Sequence, residues 1–263
     1  MIRKRLLTAL VIIIPLIAII WFSGPAYSLT VAIVAALGAL EFYGMKGLSM
    51  RHPLTIFGLV WVLLFILCAH FEANYTLLVL TSAVVFSLIW LLFCSTVEGA
   101  AANWAWSLTG IIYIGWMLSH FIPLREVEGG RDWVFLALFT AIAVDTTAFF
   151  VGRAWGRHSL WSKVSPGKTW EGTIGGFLGA IAASLILAAI LPTIAVCWQV
   201  AVLGALIGVF AQLGDLSESM LKRSTGVKDA GWLIPGHGGL LDRLDSILFV
   251  VVVVYYYVIW VVV

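Results

Sequence analysis

The feature that most constrains this chain is a series of apolar runs, each near the roughly 20 residues a helix needs to cross the hydrocarbon layer of a bilayer. LLTALVIIIPLIAIIW, close to the start, is one of them. It has none of the period-2 alternation that a membrane barrel strand requires. Runs bounded by charge, Pro or Gly clusters give nine spans, at roughly 6–22, 26–45, 54–70, 75–94, 104–122, 133–152, 173–191, 196–214 and 244–263. A water-soluble fold is excluded by charge, since 11% of the residues are charged and 62% hydrophobic, against about 25% charged in a soluble domain. The expected fold is an all-α polytopic integral membrane protein. It forms a single domain over 1–263, with 1–130 supplying N-terminal helices and 131–263 carrying the chemistry. No internal repeat or low-complexity linker interrupts it.

Arg3, Lys4 and Arg5 precede the first run. That run is long, lacks a clean small-x-small cleavage site and is followed by eight more spans, so it is expected to remain as an uncleaved helix. With nine spans, 13 of the 15 Lys and Arg residues fall on one side and only Arg125 and Arg131 on the other. The positive-inside rule then puts the N-terminus in the cytoplasm, with the long connections at about 153–172 and 215–243. The expected location is the plasma (inner) membrane, with the active site facing the cytoplasm. A net charge of +2 gives no reason to expect a nucleic-acid partner. Cys68, Cys94 and Cys197 lie in or beside apolar runs without CxxC spacing and read as packing residues. Trp21, Trp104, Trp133 and Trp260, near span ends, read as interface anchors.

The chemistry concentrates in Asp215–Asp245, where 31 residues hold 9 of the 28 charged side chains. Acids where helices meet a membrane are costly unless used. Asp215 ends the eighth apolar run, while Asp242 and Asp245 open the ninth with the three-residue spacing that shares a helix face. Converging carboxylate oxygens suit Mg²⁺, which takes a few carboxylates together with substrate phosphates. Lys222, Arg223, Lys228 and Arg243 would answer phosphate charge that the metal leaves uncompensated. The combination points to phosphoryl or nucleotidyl transfer. Pro235-Gly236-His237-Gly238-Gly239 reads either as a tight turn or as a backbone nest for an anion, with His237 touching phosphate or holding the turn.

The other long connection, GRAWGRHSLWSKVSPGKTWEGTIGG, is basic and rich in glycine. Gly167-Lys168-Thr169 resembles half a P-loop. The full motif needs a glycine where Ser162 stands and a strand ahead of it, and none is expected, so a P-loop is rejected. Gly172, Gly175, Gly176 and Gly179, at GxxxG spacing, are expected to permit close helix packing. Lys168 and Arg153 are candidate phosphate contacts. Asp145, deep in the sixth span, must face the protein interior or a polar cavity and is expected to belong to the site, the alternative being a helix-to-helix hydrogen bond. Glu41 in the second span, closer to its cytoplasmic end, reads as structural or interfacial.

Ser219-x-x-Lys222-Arg223, Lys228-Asp229, Pro235-Gly236-His237-Gly238-Gly239 and Asp242-Arg243-x-Asp245 together resemble the signature of the phosphatidate cytidylyltransferase (CDP-diacylglycerol synthase) family. Asp145-Thr146 through Gly152-Arg153, and Ser165-Pro166-x-Lys168-Thr169-x-Glu171-Gly172, also look like that family. The first 130 residues match only as apolar helices. The resemblance implies Mg²⁺-dependent conversion of CTP and phosphatidate to CDP-diacylglycerol and pyrophosphate. A phosphatidate oxygen would attack the α-phosphorus of CTP in line, so no protein nucleophile is needed. Two metal ions at Asp215 and Asp242 would clamp the attacking and leaving oxygens. Asp245 belongs to the same catalytic group as Lys222 and Arg223, with Ser219, Lys228, Asp229, His237, Gly238, Gly239 and Arg243 at the substrates.

The partners expected are CTP, phosphatidate and the bilayer, with a homodimer kept as an option. A CTP-dependent kinase of a polyprenol-type lipid alcohol would share the metal and nucleotide sites. An anion transporter would need several ionisable groups at mid-membrane, and only Asp145 lies that deep.

Overall fold

The computed structural model describes residues 15–22, 24–71, 75–94, 98–194, 197–231 and 238–262. After a helical segment at 15–22 come α1 (Pro25–Gly44), α2 (Pro53–His70), α3 (Thr76–Cys94) and α4 (Ala100–Glu126), the last containing a π-helical stretch at Ile111–Trp116. Then follow α5 (Gly130–Trp155), a hairpin of β1 (Ser159–Trp161) and β2 (Ser165–Thr169), α6 (Trp170–Ile190), α7 (Trp198–Ser224), a 3-10 turn at Leu241–Arg243 and α8 (Asp245–Val262). These eight helices among the described residues are long and apolar enough to cross a membrane. They correspond to the second through ninth expected spans. Most of the first, with Arg3, Lys4 and Arg5, lies outside the described residues. Chemistry at the helix starts is local: Pro25 and Pro53 occupy first turns, where a missing N–H costs nothing.

Two compact units divide the chain: Met1–Pro123 with Asp229–Leu241, and Leu124–Lys228 with Asp242–Val263. Within the first, α1 is gripped through aromatics. Phe42 stacks on Trp106 at 4.4 Å between centroids, and the buried Tyr43 donates its hydroxyl to the Ser107 carbonyl at 2.9 Å. The Tyr43 ring fills space that side chains at Gly58 and Gly110 would occupy. Within the second unit, small residues bring backbones together, as expected where lipid offers no hydrophobic drive between helices. A Cβ on Gly176 of α6 would stand 3.1 Å from the Ala148 Cβ of α5, and one on Gly208 of α7 would stand 3.0 Å from the Phe177 Cα of α6. The GxxxG glycines therefore serve helix packing, as expected, although Gly172 also borders the cavity described below.

Four expectations are corrected. The eighth span does not end at 214, because α7 continues to Ser224. Hydropathy falls at Asp215, but LSESMLKRS remains good helix-forming sequence. The helix stops where Gly226 takes φ +77° and Val227 and Gly226 donate back to the carbonyls of Lys222 and Arg223 at 3.0 and 3.1 Å, a Schellman closure. A strand does precede the stretch, since β1 ends at Trp161, but Gly167-Lys168-Thr169 themselves lie on β2, paired antiparallel with β1 and not in a loop. The P-loop therefore stays rejected, on Ser162 and on this placement. Asp242 and Asp245 do not share a helix face, since Asp242 sits in the 3-10 turn and Asp245 begins α8. Finally, Trp133 is buried at 5% exposure and packs inside instead of anchoring at an interface, whereas Trp21 and Trp260 are exposed.

Candidate active site

In the second unit the polar ends of α5, α6, α7 and α8 meet β2 around a cavity of about 450 Å³. Its charged lining is Asp145, Asp215, Asp242 and Asp245 against Arg153, Lys168 and Arg243. Each arrives by a simple local route. Asp145 and Arg153 lie two helical turns apart on α5. Lys168 is carried by β2, one residue before Thr169, whose Oγ1 caps α6 by accepting the Gly172 N–H at 3.1 Å. Asp215 lies on α7 only because that helix outlasts its apolar run.

Ion pairs organise the acids. Lys168 Nζ lies 2.5 Å from Asp215 Oδ2, with both side chains partly open to the cavity. Lys222 Nζ donates to Asp242 Oδ1 at 2.6 Å and lies 3.3 Å from Glu218 Oε1. This second group is interior, with the Glu218 side chain wholly buried and those of Lys222 and Asp242 at 11% and 13% exposure. Ser246 Oγ stands 3.2 Å from both Asp145 Oδ2 and Asp245 Oδ1, and its N–H donates to Asp245 Oδ1 at 2.7 Å. Gln212 is fixed at the cavity wall by donating to the Thr173 and Gly208 carbonyls at 3.1 and 2.8 Å.

Of the residues singled out in the sequence, the cavity brings together Asp145, Arg153, Lys168, Asp215, Asp242, Arg243 and Asp245. Lys222 reaches it only through Asp242. Ser219 Oγ lies 3.4 Å from Asp215 Oδ1. The Arg223 guanidinium is directed at backbone, donating to the Val227 carbonyl at 3.1 Å and to the Val164 carbonyl of the β1–β2 turn at 3.4 Å. Lys228 and Asp229 are exposed outside the lining. Gly238 takes φ +85°, the turn geometry glycine permits. Gly239 is buried, and neither glycine lines this cavity. His237, with Pro235 and Gly236, lies outside the described residues.

The sequence profile of the cytidylyltransferase family matches residues 3–261. The chain belongs to that family. It is similar to proteins named phosphatidate cytidylyltransferase from several bacteria. One from Staphylococcus haemolyticus is 29% identical over 250 residues, covering 94% of this chain and 95% of that protein. One from Brucella abortus is 32% identical over 254 residues, covering 94% and 89%. One from Bacillus subtilis is 42% identical over 144 residues, about half of each chain. As a member of the cytidylyltransferase family the protein is an enzyme, a nucleotidyltransferase held in the membrane by several helices.

Three residues of the cavity and of the polar contacts around it were not singled out by the sequence pattern. Glu218 was visible only as one acid among nine charges, and its i, i+4 spacing to Lys222 was the signal. Ser246 and Gln212 carry no charge and stand in apolar runs, where only a structure distinguishes a wall residue from a packing residue.

Proposed function

We propose that this enzyme converts CTP and phosphatidate to CDP-diacylglycerol and pyrophosphate, with Mg²⁺, at the cytoplasmic face of the plasma membrane. The observation that carries the reading is a cavity lined by four carboxylates and three cations at the ends of membrane helices, in a chain whose full-length relatives are named for this activity. A lipid phosphate anchored by its tails and a nucleotide arriving from water must meet at such a boundary.

The donor set fits Mg²⁺. Among the described residues, no three His, Cys, Asp or Glu side chains are grouped to hold an ion unaided. Mg²⁺ needs no such cage, because it takes one or two carboxylates and completes its shell with water and phosphate oxygens. Four carboxylates facing a triphosphate would repel it without added positive charge. Asp215 and Asp242 would hold the ions, with Asp145 and Asp245 beside them. Bound there, Mg²⁺ would neutralise phosphate charge and stabilise the attacking and leaving oxygens.

The chain's own residues supply position and counter-charge. Lys168, Arg153 and Arg243 line the cavity and hold phosphates as point or forked donors. Lys222 keeps the Asp242 carboxylate oriented from behind. Ser246 fixes Asp145 and Asp245 relative to one another. The phosphatidate oxygen is itself the nucleophile, so catalysis consists of alignment and charge stabilisation.

With labelled CTP and phosphatidate in mixed micelles, the purified protein is expected to form CDP-diacylglycerol and pyrophosphate, and to stop when Mg²⁺ is chelated. Phosphorylated lipid with CDP as the second product would overturn the reading in favour of a lipid-alcohol kinase. The proposed orientation has its own test, on a background lacking native cysteines. A cysteine introduced between Arg125 and Arg131 should react with an impermeant thiol reagent added outside cells, and one at Gly226 should not. The reverse pattern would move the reaction to the opposite face.

A further inference from the structure

Glu41 lies near the end of α1, and its carboxylate is buried at 7% exposure. A charged group buried against protein in a membrane helix is costly and persists where it is used. One oxygen, Oε2, accepts the backbone N–H of Leu241 at 2.8 Å, a contact between residues 200 positions apart. The other, Oε1, is buried with no hydrogen-bond partner among the described residues. The same carboxyl group lies against Gly231, where any Cβ would overlap it. Glu41 thus touches both described flanks of the segment that carries Gly238 and Gly239, and Leu241 is covalently next to Asp242.

We propose that Glu41 is a positioning residue, which clamps the backbone at Gly231 and Leu241 and thereby fixes the start of the turn that presents Asp242. The inference rests on the reading of Asp242 as part of the reaction site. The apolar sequence around Glu41 gives no sign of this role, because the partner is a backbone amide far along the chain. Glutamate suits the task. Its carboxylate accepts a charge-assisted bond from an N–H, and its length reaches past a glycine that leaves room for it.

Three variants test the clamp: Glu41→Leu removes the acceptor at similar volume, Glu41→Gln keeps a carbonyl acceptor, and Gly231→Ala pushes the intact Glu41 aside. Each is compared with wild type for kcat, KM for CTP, thermal midpoint in detergent, and hydrogen exchange of the peptide containing Leu241. Glu41→Leu and Gly231→Ala should lower kcat about 10- to 100-fold with little change in KM, and speed exchange at Leu241 by about tenfold or more. Glu41→Gln should stay within a fewfold of wild type in both. Wild-type kcat and exchange in Glu41→Leu would overturn the proposal, as would lost rate without faster exchange. Equal damage in Glu41→Gln would also overturn it, by showing that charge and not the hydrogen bond matters. If Glu41→Leu fails to fold, Gly231→Ala decides by the same criteria. If wild type itself makes no CDP-lipid, the functional reading fails, and the exchange measurement alone still decides whether Glu41 holds Leu241.

Discussion

Asp215→Asn and Asp242→Asn should each abolish formation of CDP-diacylglycerol, a loss beyond the roughly 10²- to 10³-fold typical of one deleted electrostatic donor. Asparagine keeps the shape of the side chain and removes the charge that makes it a ligand for a hard cation. Both variants should also lose stability. Asp215 pairs with Lys168, whose ammonium nitrogen is buried although its side chain is 22% exposed overall, so Asp215→Asn takes away the counter-charge of a desolvated cation. Asp242 pairs with the buried Lys222, so Asp242→Asn leaves that cation with Glu218 alone, and each variant should lower the thermal midpoint. The check is turnover at saturating Mg²⁺ with thermal unfolding in the same detergent. A variant that retains near-normal rates removes its residue from the metal site.

Lys222→Met should have the second largest effect, for a different reason. It deletes the cation lying between the wholly buried Glu218 and the nearly buried Asp242, leaving two carboxylates to face each other. Breaking a buried pair by removing one partner costs about 3–5 kcal/mol, and misplacing Asp242 should also lower kcat by at least 10²-fold. Adding Glu218→Gln to Lys222→Met removes the like-charge contact. The double variant should regain part of the lost stability while turnover stays low, a coupling that a double-mutant cycle measures directly. Arg125→Ala, in the last turn of α4 and on the expected external side, should stay within a fewfold of wild type. A Lys222→Met protein with wild-type stability and rate would show that the buried pair neither supports the fold nor orients Asp242.

Much of this was readable before any coordinates. Apolar run length located α1 to α6 and α8 to within four residues, because lipid forces backbone groups to pair within the helix. The acids Asp145, Asp215, Asp242 and Asp245 were legible as a group, since charge at a membrane boundary is conspicuous against so apolar a chain. Hydropathy failed where it was asked to end a helix: α7 runs past Asp215 because hydrogen bonding and propensity, not lipid contact, sustain its last turns. It also missed the hairpin, whose five-residue second strand is too short and polar for periodicity to register. Partners distant along the chain were equally hidden. That Lys222 would face Asp242 and Glu218, and that Glu41 would accept from Leu241, follows from how helices meet, and no local pattern encodes it.

The continuation of α7 has a spatial meaning. At 1.5 Å per residue its 27 residues extend about 40 Å, some 10 Å more than the hydrocarbon layer is thick. Nine residues separate Asp215 from Ser224, about 13 Å of rigid rod. The helix is in effect a depth gauge. On the proposed function, it fixes how far the carboxylate at its inner mark stands from the helix tip, and so would set the level at which a headgroup still tethered to the bilayer is reached. A flexible loop carrying the same charges would let that level drift.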